Sequence, residues 1–440
     1  MPNWPNLLED IVARITDIGS TMITSNEDLS ITAMCEDLLS NTGEATNLAR
    51  SLKIFNKYKT LSEDERLLFF QAINRDFAVD ENALRESIKQ WSNAPSAEKA
   101  RALHAMSEPS TQELFRRLNL APGGTAALVN LREDLLSLTR KDKTLLALDM
   151  DIRHLFSSWF NRGFLSLEMI NWSTPAEILE RIIAYEAVHE IQGWNDLRRR
   201  VAANDRRLYA FFHPALKNDP LIFVEVALTD ATPKTIVQIL AEDRDAIEPT
   251  EATTAVFYSI SNCQSGLRGI SFGNFLIKQV VEELKREFPN LKRFVTMSPV
   301  PGLRRWVNTQ DNLNSDLQKL VDDLEQLETS PTEEFKEVST PLLIQLTSLY
   351  LMHAKHKSGG PYDPVSRFHL GNGALLKQIN LWADMSSQGM KNSWGVMVNY
   401  EYDLRYIERN HEAFIANCTI STSSVIKKVN KHKLLEHKHV

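Results

Sequence analysis

Cysteine is scarce in this chain, and its placement argues against two classes of protein. The 440 residues include three cysteines, Cys35, Cys263 and Cys418, an odd number at wide separations. They provide neither a disulfide framework nor the paired spacing of a zinc site, which favours a reducing compartment. Glu186 and His189 have the Glu-x-x-His spacing of a di-iron helix bundle, but the second pair that such a site requires does not follow. We therefore expect no metal site.

Long apolar runs and an excess of positive charge are also missing. No run approaches the roughly 20 apolar residues of a membrane-spanning helix, so we expect no membrane association. The net charge of −7 argues against general binding to nucleic acid. The start of the chain lacks the basic region of a signal peptide and the arginines of a transit peptide, and the end is not a peroxisomal signal. These absences predict a cytoplasmic protein.

Strand signals are nearly absent from the first third of the chain. From Leu7 to about Leu155, apolar residues recur at the three- and four-residue spacings typical of helices. Ser62 precedes an acidic turn, as expected of a helix N-cap. A length of 440 residues favours two domains. We predict an N-terminal all-α helical bundle over residues 1–160. Because it carries no evident catalytic residues, we expect it to serve assembly into a homo-oligomer, a dimer or a tetramer.

From residue 161 to residue 440, strand-like and helical segments are mixed. The predicted strands are β-branched, aromatic and bounded by turn residues: Leu208–Phe212, Leu221–Leu228, Ala255–Ile260, Arg293–Met297 and Gly395–Tyr400. Mixed elements within one unit indicate an α/β or α+β domain.

A turn of small residues joins one of these strands to an amphipathic helix that begins at Leu276. Its residues are Arg268, Gly269, Ile270, Ser271, Phe272, Gly273 and Asn274. The glycines let the backbone approach an anion, and free N–H groups at a helix N-terminus attract phosphate. The turn resembles the loop with which GNAT acyltransferases hold the pyrophosphate of coenzyme A, with Ser271 in place of the usual first glycine. A plain strand-to-helix turn is the alternative.

Two later residues are candidates for chemistry. Ser298 ends a predicted strand and precedes Pro-Val-Pro-Gly, a stiff turn that would hold its hydroxyl in one direction. His369 lies among apolar residues and has a side chain that titrates near neutral pH, which suits proton transfer. From spacing alone, a capping serine and a structural histidine remain the alternatives. A basic cluster is formed by Arg198–Arg200 and Arg206–Arg207. It either lies on a solvated surface or attracts the phosphates of a ligand.

The motifs follow one another in an order that matches a known family. They are Phe257–Gly269, Glu287–Phe294, Met297–Gly302, Trp306, Arg367–Ala374, Ile379–Asp384 and Val398–Tyr402. This ordered set resembles bacterial-type malonyl-CoA decarboxylases, most densely from about residue 157 to residue 402. The resemblance implies an α+β protein, in which the helical bundle is followed by a GNAT-like mixed-sheet catalytic domain over residues 161–440.

The resemblance also implies the ligands and the site. The substrate would be malonyl-CoA and the products acetyl-CoA and carbon dioxide, with Ser298 as the catalytic serine and His369 as the catalytic histidine. Besides the residues of the loop, the predicted substrate-binding residues are Ser261, Asn372, Asn380 and Tyr402. In GNAT folds a splayed strand supplies a backbone N–H to the thioester oxygen, and here that strand would be Phe257–Ser261.

The expected chemistry needs no added cofactor. Loss of carbon dioxide from malonyl-CoA leaves an enolate, and the thioester carbonyl is the electron sink. Ser298 would bind the malonyl group and His369 would supply the proton, with the choice of carboxylate partner left open. Two alternatives remain at this stage. One is a GNAT-type N-acyltransferase that uses an acyl-CoA donor, and the other is a scaffold that senses acyl-CoA without catalysis.

Overall fold

The computed structural model describes residue 14 and residues 29–40, 43–270, 276–310, 313–327, 331–357 and 359–429. The chain forms two compact units. One comprises residues 1–166, 212–220 and 264–272, and the other comprises residues 167–211, 221–263 and 273–440. They are called the helical unit and the sheet unit below. The domain boundary at residue 160 stays a prediction.

The helical unit is built from amphipathic helices. Their bounds are α1 Ile31–Ser40, α2 Glu44–Lys59, α3 Glu63–Asp76, α4 Glu81–Asn93, α5 Ala97–Ser107, α6 Ser110–Asn119, α7 Gly124–Leu138 and α8 Leu146–Trp159. Ser62 is the N-cap of α3, as predicted. Its hydroxyl accepts a hydrogen bond from the Glu65 N–H while the Glu65 carboxylate accepts one from the Ser62 N–H, which forms a capping box. The prediction of an N-terminal helical region is confirmed.

The sheet unit mixes strands with helices on the chain between them. The strands are β1 Ser166–Ile170, β2 Arg206–Phe212, β3 Ile222–Thr229, β4 Thr254–Asn262, β5 Arg293–Thr296, β6 Ser298–Pro299, β7 Leu375–Asn380 and β8 Met397–Glu401. The helices are α9 Ala176–Tyr185, α10 Trp194–Val201, α11 Val237–Leu240, α12 Leu276–Glu287, α13 Leu303–Val307, α14 Ser315–Glu325, α15 Glu333–His353, α16 Pro364–Gly371, α17 Ser387–Ser393, α18 Ile407–Asn417 and α19 Ser424–Val429.

The strands form one mixed sheet in the order β1-β2-β3-β4-β5-β8-β6, with β7 also paired to β8. Strands β2, β3 and β4 are antiparallel neighbours, whereas β4 and β5 are parallel. Strands β5, β6 and β7 all run antiparallel to β8. The predicted α+β class with a mixed-sheet second domain is confirmed. Three strands were not predicted: β1, the two-residue β6 and β7.

The parallel pair β4 and β5 diverges part-way along its length. Pairing runs from Thr254–Phe257 on β4 to Arg293–Thr296 on β5. Beyond this point β4 continues to Asn262 beside β3, with a bulge at Tyr258. The segment that follows β5 instead forms β6, which pairs with β8. A bulge bends its strand and increases the local twist. The divergence opens the sheet at this point.

Within the described ranges, no helix combines the length and the apolar character that a membrane span requires.

Candidate active site

A cavity of about 380 Å³ lies where β4 and β5 diverge. One wall comes from β4, a second from the segment around β6, and a third from α16. The lining residues are Val188, Phe257, Tyr258, Ser259, Ile260, Asn262, Met297, Ser298, Pro299, Pro364, Val365, Phe368 and His369. Both predicted catalytic residues therefore line the same cavity, among mostly apolar neighbours.

Ser298 and His369 contact each other although 71 residues separate them. The distance from Ser298 Oγ to His369 Nε2 is 3.1 Å. Ser298 is held by pairing with Val398 on β8, and His369 belongs to α16. The Asp363 side chain caps that helix by accepting the Ser366 N–H at 2.8 Å. A strand and a capped helix thus fix the two groups relative to each other.

The imidazole of His369 is enclosed on its other sides by two tyrosines. Its Nδ1 is 2.7 Å from Tyr402 Oη, and its ring stacks on Tyr400 with centroids 4.7 Å apart. Burial lowers the pKa of His369 to about 3, so the imidazole is neutral at physiological pH. Burial also raises the pKa of Tyr402 well above its usual value, so its hydroxyl keeps its proton.

A consistent direction of hydrogen bonding follows from these contacts. Ser298 Oγ donates to Thr296 Oγ1 at 2.8 Å. The Ser298 hydroxyl has one proton, which is used in the hydrogen bond to Thr296. Ser298 Oγ must therefore accept in its contact with His369, and His369 Nε2–H is the donor. Nδ1 accepts from the Tyr402 hydroxyl in that tautomer. Thr296 Oγ1 also accepts the Tyr400 N–H at 3.0 Å, which ties β5 to β8 behind the pair.

Several predicted binding residues lie outside the lining of this cavity. Asn380 donates to Asn399 Oδ1 at 2.7 Å and so belongs to the network behind the pair. Asn372 ends α16 and donates to the Phe368 carbonyl at 2.7 Å. Ser261 donates to the buried carboxylate of Glu186 at 3.1 Å. These side chains have structural partners, and their role in binding substrate stays a prediction.

The predicted phosphate loop is only partly described. Arg268, Gly269 and Ile270 belong to the helical unit, and Gly269 has a φ of +80°, a conformation that favours glycine. Outside the described residues lie the predicted positions Ser271, Phe272, Gly273 and Asn274. The strand-to-helix context of the loop is as predicted, since β4 precedes it and α12 begins at Leu276.

The helical unit fixes the chain just before this loop through a buried arginine. Arg132 on α7 donates to the Gly266 carbonyl at 2.6 Å and to Asp149 at 2.8 Å. A side chain at Gly266 is excluded, because its Cβ would lie 1.9 Å from the Val129 carbonyl oxygen. Arg132 could not be predicted from the sequence, because an arginine within a helical pattern resembles any solvated position.

Cationic side chains also cluster at this point of the helical unit. Burial is the main cause that lowers the pKa of Arg132, and the charges of Arg153 and Arg268 act in the same direction. Arg153 Nη2 lies 3.4 Å from the Gly269 carbonyl oxygen. A local excess of positive charge suits an anionic group near the loop.

The basic cluster predicted on α10 and β2 is largely engaged in ion pairs. Arg200 pairs with Asp196 at 3.0 Å and with Glu225 at 3.1 Å. Arg206 contacts Asp205 at 3.1 Å, and both are buried. Burial raises the pKa of Glu225, and the charge of Arg200 opposes that effect. These contacts favour a structural role for the two buried arginines.

Among the residues that the structure describes, no cluster of three histidine, cysteine, aspartate or glutamate side chains could hold a metal ion. The expectation of a metal-free site stays a prediction.

Comparison with known proteins places these features in a family. The sequence model of the malonyl-CoA decarboxylase C-terminal domain matches residues 163–440, and that of the N-terminal domain matches residues 77–160. The chain belongs to the malonyl-CoA decarboxylase family. The predicted family and enzyme class, a carboxy-lyase, are confirmed.

Relatives of this family match over most of their length. The mitochondrial malonyl-CoA decarboxylase of Anser anser anser is 33% identical over 426 residues, which are 86% of this chain and 82% of the relative. The crystal structure of malonyl-CoA decarboxylase from Rhodopseudomonas palustris has 47% identity and a TM-score of 0.88, covering 92% of this chain and all of that one. The structure from Agrobacterium vitis has 47% identity and a TM-score of 0.87, with coverages of 91% and 100%.

Proposed function

We propose that this chain converts malonyl-CoA to acetyl-CoA and carbon dioxide in the cavity between β4 and α16, with Ser298 and His369 facing the malonyl group. The observation that carries the proposal is the 3.1 Å contact between Ser298 Oγ and His369 Nε2 in the wall of that cavity. Family membership supports the reaction, and this contact supports the choice of residues.

The first step of the proposed reaction breaks the bond between C2 and the carboxylate. The electron pair passes into the thioester carbonyl and gives an enolate, and carbon dioxide leaves. In this proposal, backbone N–H groups of β4 beyond Phe257, where pairing with β5 has ended, stabilise the developing oxyanion. One such donor is typically worth about 3 kcal/mol. The mostly apolar lining keeps water from competing for that oxygen.

The second step adds one proton to C2. His369 is neutral in the free protein because burial lowers its pKa to about 3. The negative charge of a bound malonyl group opposes that effect, since a nearby anion favours the protonated imidazole. The pair can therefore take up the single proton that the reaction consumes and deliver it from His369 Nε2 or Ser298 Oγ. Tyr402 fixes the imidazole orientation from the other side.

The coenzyme A part of the substrate has a separate candidate site. We infer that the loop from Arg268 to Asn274 holds the phosphates, as the sequence predicts. Supporting this inference, Arg268 and Arg153 add positive charge beside Gly269, whose φ is positive. The inference predicts that these cations contribute nothing to the binding of malonyl-pantetheine, which lacks the nucleotide.

The decisive experiment uses purified protein and malonyl-CoA without an amine acceptor. In deuterium oxide we expect acetyl-CoA that carries one deuterium in its methyl group, together with an equal amount of carbon dioxide. Product that forms only when an amine is added would identify an N-acyltransferase, and binding without turnover would identify a sensor. Loss of activity on treatment with a chelator, restored by one divalent ion, would contradict the cofactor-free scheme.

We further infer a cytoplasmic homo-oligomer, a dimer or a tetramer. The helical unit exposes large apolar side chains, among them Leu68, Leu120 and Met150. Exposed apolar surface is typical of a protein interface when it is contiguous. Relatives from goose and rat are described as mitochondrial, so location requires its own test by fractionation of the source cells. Light scattering that gives a monomer mass would refute the assembly.

A further inference from the structure

We propose that Glu186 is a positioning residue for decarboxylation, holding the diverging part of β4 and the adjoining loop in place around the cavity. The proposal rests on the function proposed above. Glu186 directly follows α9 and is buried, with 7% of its surface exposed. A carboxylate that is buried requires several donors to stabilise its charge.

Two of those donors come from the side chains of β4. Ser259 Oγ lies 2.8 Å from Glu186 Oε1 and 2.7 Å from Oε2, and Ser261 Oγ lies 3.1 Å from Oε2. Both serines are 2% exposed. They belong to the part of β4 beyond Phe257, where pairing with β5 has ended. Glu186 therefore anchors the part of β4 that is no longer paired with β5.

Two further donors come from the loop after α9. The N–H groups of Val188 and His189 donate to Glu186 Oε1 at 2.8 and 2.7 Å. Val188 also lines the cavity, so the same carboxylate holds a part of the lining that does not belong to β4. Arg200 holds this loop from its carbonyl side by donating to the His189 oxygen at 2.8 Å and to the Glu190 oxygen at 3.1 Å.

The chemistry of these contacts requires a carboxylate. All four groups donate a hydrogen bond, and hydrogen bonds to a charged acceptor are roughly twice as strong as neutral ones. A glutamine would turn an NH₂ group toward donors and leave some of them unsatisfied. Because the oxyanion donors of β4 must lie within a few tenths of an ångström of their target, a small shift of the strand reduces turnover.

The test compares Glu186→Gln with Glu190→Gln, an exposed carboxylate in the same loop. For Glu186→Gln we expect kcat with malonyl-CoA to fall by about tenfold or more, the scale of a misaligned oxyanion donor. We expect KM and the Kd of acetyl-CoA to change by less than about twofold, because the predicted phosphate site is separate. Glu190→Gln should match the wild type. A folded Glu186→Gln variant with normal kcat would overturn the proposal.

A second variant keeps the test decisive if Glu186→Gln fails to fold. Ser261→Ala removes one donor from β4 and leaves the others. We expect kcat to fall several-fold in a protein that still folds, with a lower melting temperature because a buried hydrogen bond to a charged group is lost. Unchanged kcat in folded Ser261→Ala would refute the proposal. Where both fold, the losses in the double variant should be less than multiplicative, because the residues act through one contact; strictly multiplicative losses would refute it. Wild-type protein that releases no carbon dioxide would refute the proposed function instead.

Discussion

The helical unit and the sheet unit hold their candidate functional segments by different kinds of contact. In the helical unit, one buried guanidinium, that of Arg132, binds the backbone ahead of the predicted phosphate loop and is neutralised by Asp149. In the sheet unit, Ser298 and His369 belong to a continuous series of hydroxyl, imidazole and amide groups that extends to Tyr402. The first arrangement depends on one charged pair, and the second on a shared network.

This difference has consequences for mutagenesis. Removing one partner of a buried ion pair leaves the other charge unpaired, so the cost falls on stability. Removing one member of a catalytic network disables the whole network. The loss then appears in kcat, and the losses from separate substitutions do not add. Substitutions in the helical unit should therefore lower stability, and substitutions in the catalytic network of the sheet unit should lower kcat.

The catalytic pair should show the largest effect. Ser298→Ala and His369→Asn should each lower kcat by about two orders of magnitude or more, the usual scale for an oxyanion donor or a proton-transfer group. The double variant should be little worse than the poorer single variant, as steady-state kinetics would show. Acetyl-CoA should still bind all three in calorimetry. Near-normal turnover of the His369 variant would exclude it as proton donor.

The buried arginine of the helical unit tests the other half of the comparison. Arg132→Met should lower the free energy of unfolding by about 3 kcal/mol, because Asp149 is left buried without its partner. KM for malonyl-CoA should rise while kcat at saturation changes little. Denaturant unfolding and steady-state kinetics measure both quantities, with Arg140→Met, an exposed position just after α7, as the control. A large fall in kcat without a change in stability would reverse the comparison.

Tyr402 probes the far side of the network. Tyr402→Phe keeps the ring that packs near Phe257 and removes the hydroxyl that contacts His369 Nδ1 at 2.7 Å. Since an orienting hydrogen bond is lost but the proton donor stays, we expect kcat to fall by about tenfold, less than for the pair itself. Tyr406→Phe, at an exposed position, is the matched control. Equal activity of the two variants would remove Tyr402 from the network.

The buried histidine should also affect stability as the pH changes. Burial lowers the pKa of folded His369 to about 3, whereas the unfolded side chain titrates near 6.5. Between these values the unfolded chain binds the additional proton, so this group's contribution to stability is present above about pH 6.5 and is lost as the pH falls toward 3. The wild type should therefore lose up to about 1.4 kcal/mol per pH unit more than His369→Asn over that window. Parallel pH profiles would contradict the buried neutral imidazole.

Local patterns account for what could be predicted from the sequence. The N-cap at Ser62, the helices of the first unit and five strands of the second follow from periodicity and end signals within a few neighbouring residues. Strand β7 was missed because its sequence, Leu-Leu-Lys-Gln-Ile-Asn, lacks the β-branched and aromatic enrichment of the others. Its pairing with β8 is a long-range contact that overrides that weak preference.

Within the site, the sequence supplied the identities and the family, while only the tertiary structure supplied the partners. Ser298 and His369 could be named because their motifs resemble those of one family. Thr296, two residues before Ser298 on the same face, offered a signal that was available from strand alternation. The contact of Arg132 with Gly266 offered no such signal, because the two residues lie far apart along the chain. The contacts of Glu186 with the serines of β4 offered none for the same reason. Burial decides which charged side chains become structural anchors, and burial is a property of the folded chain.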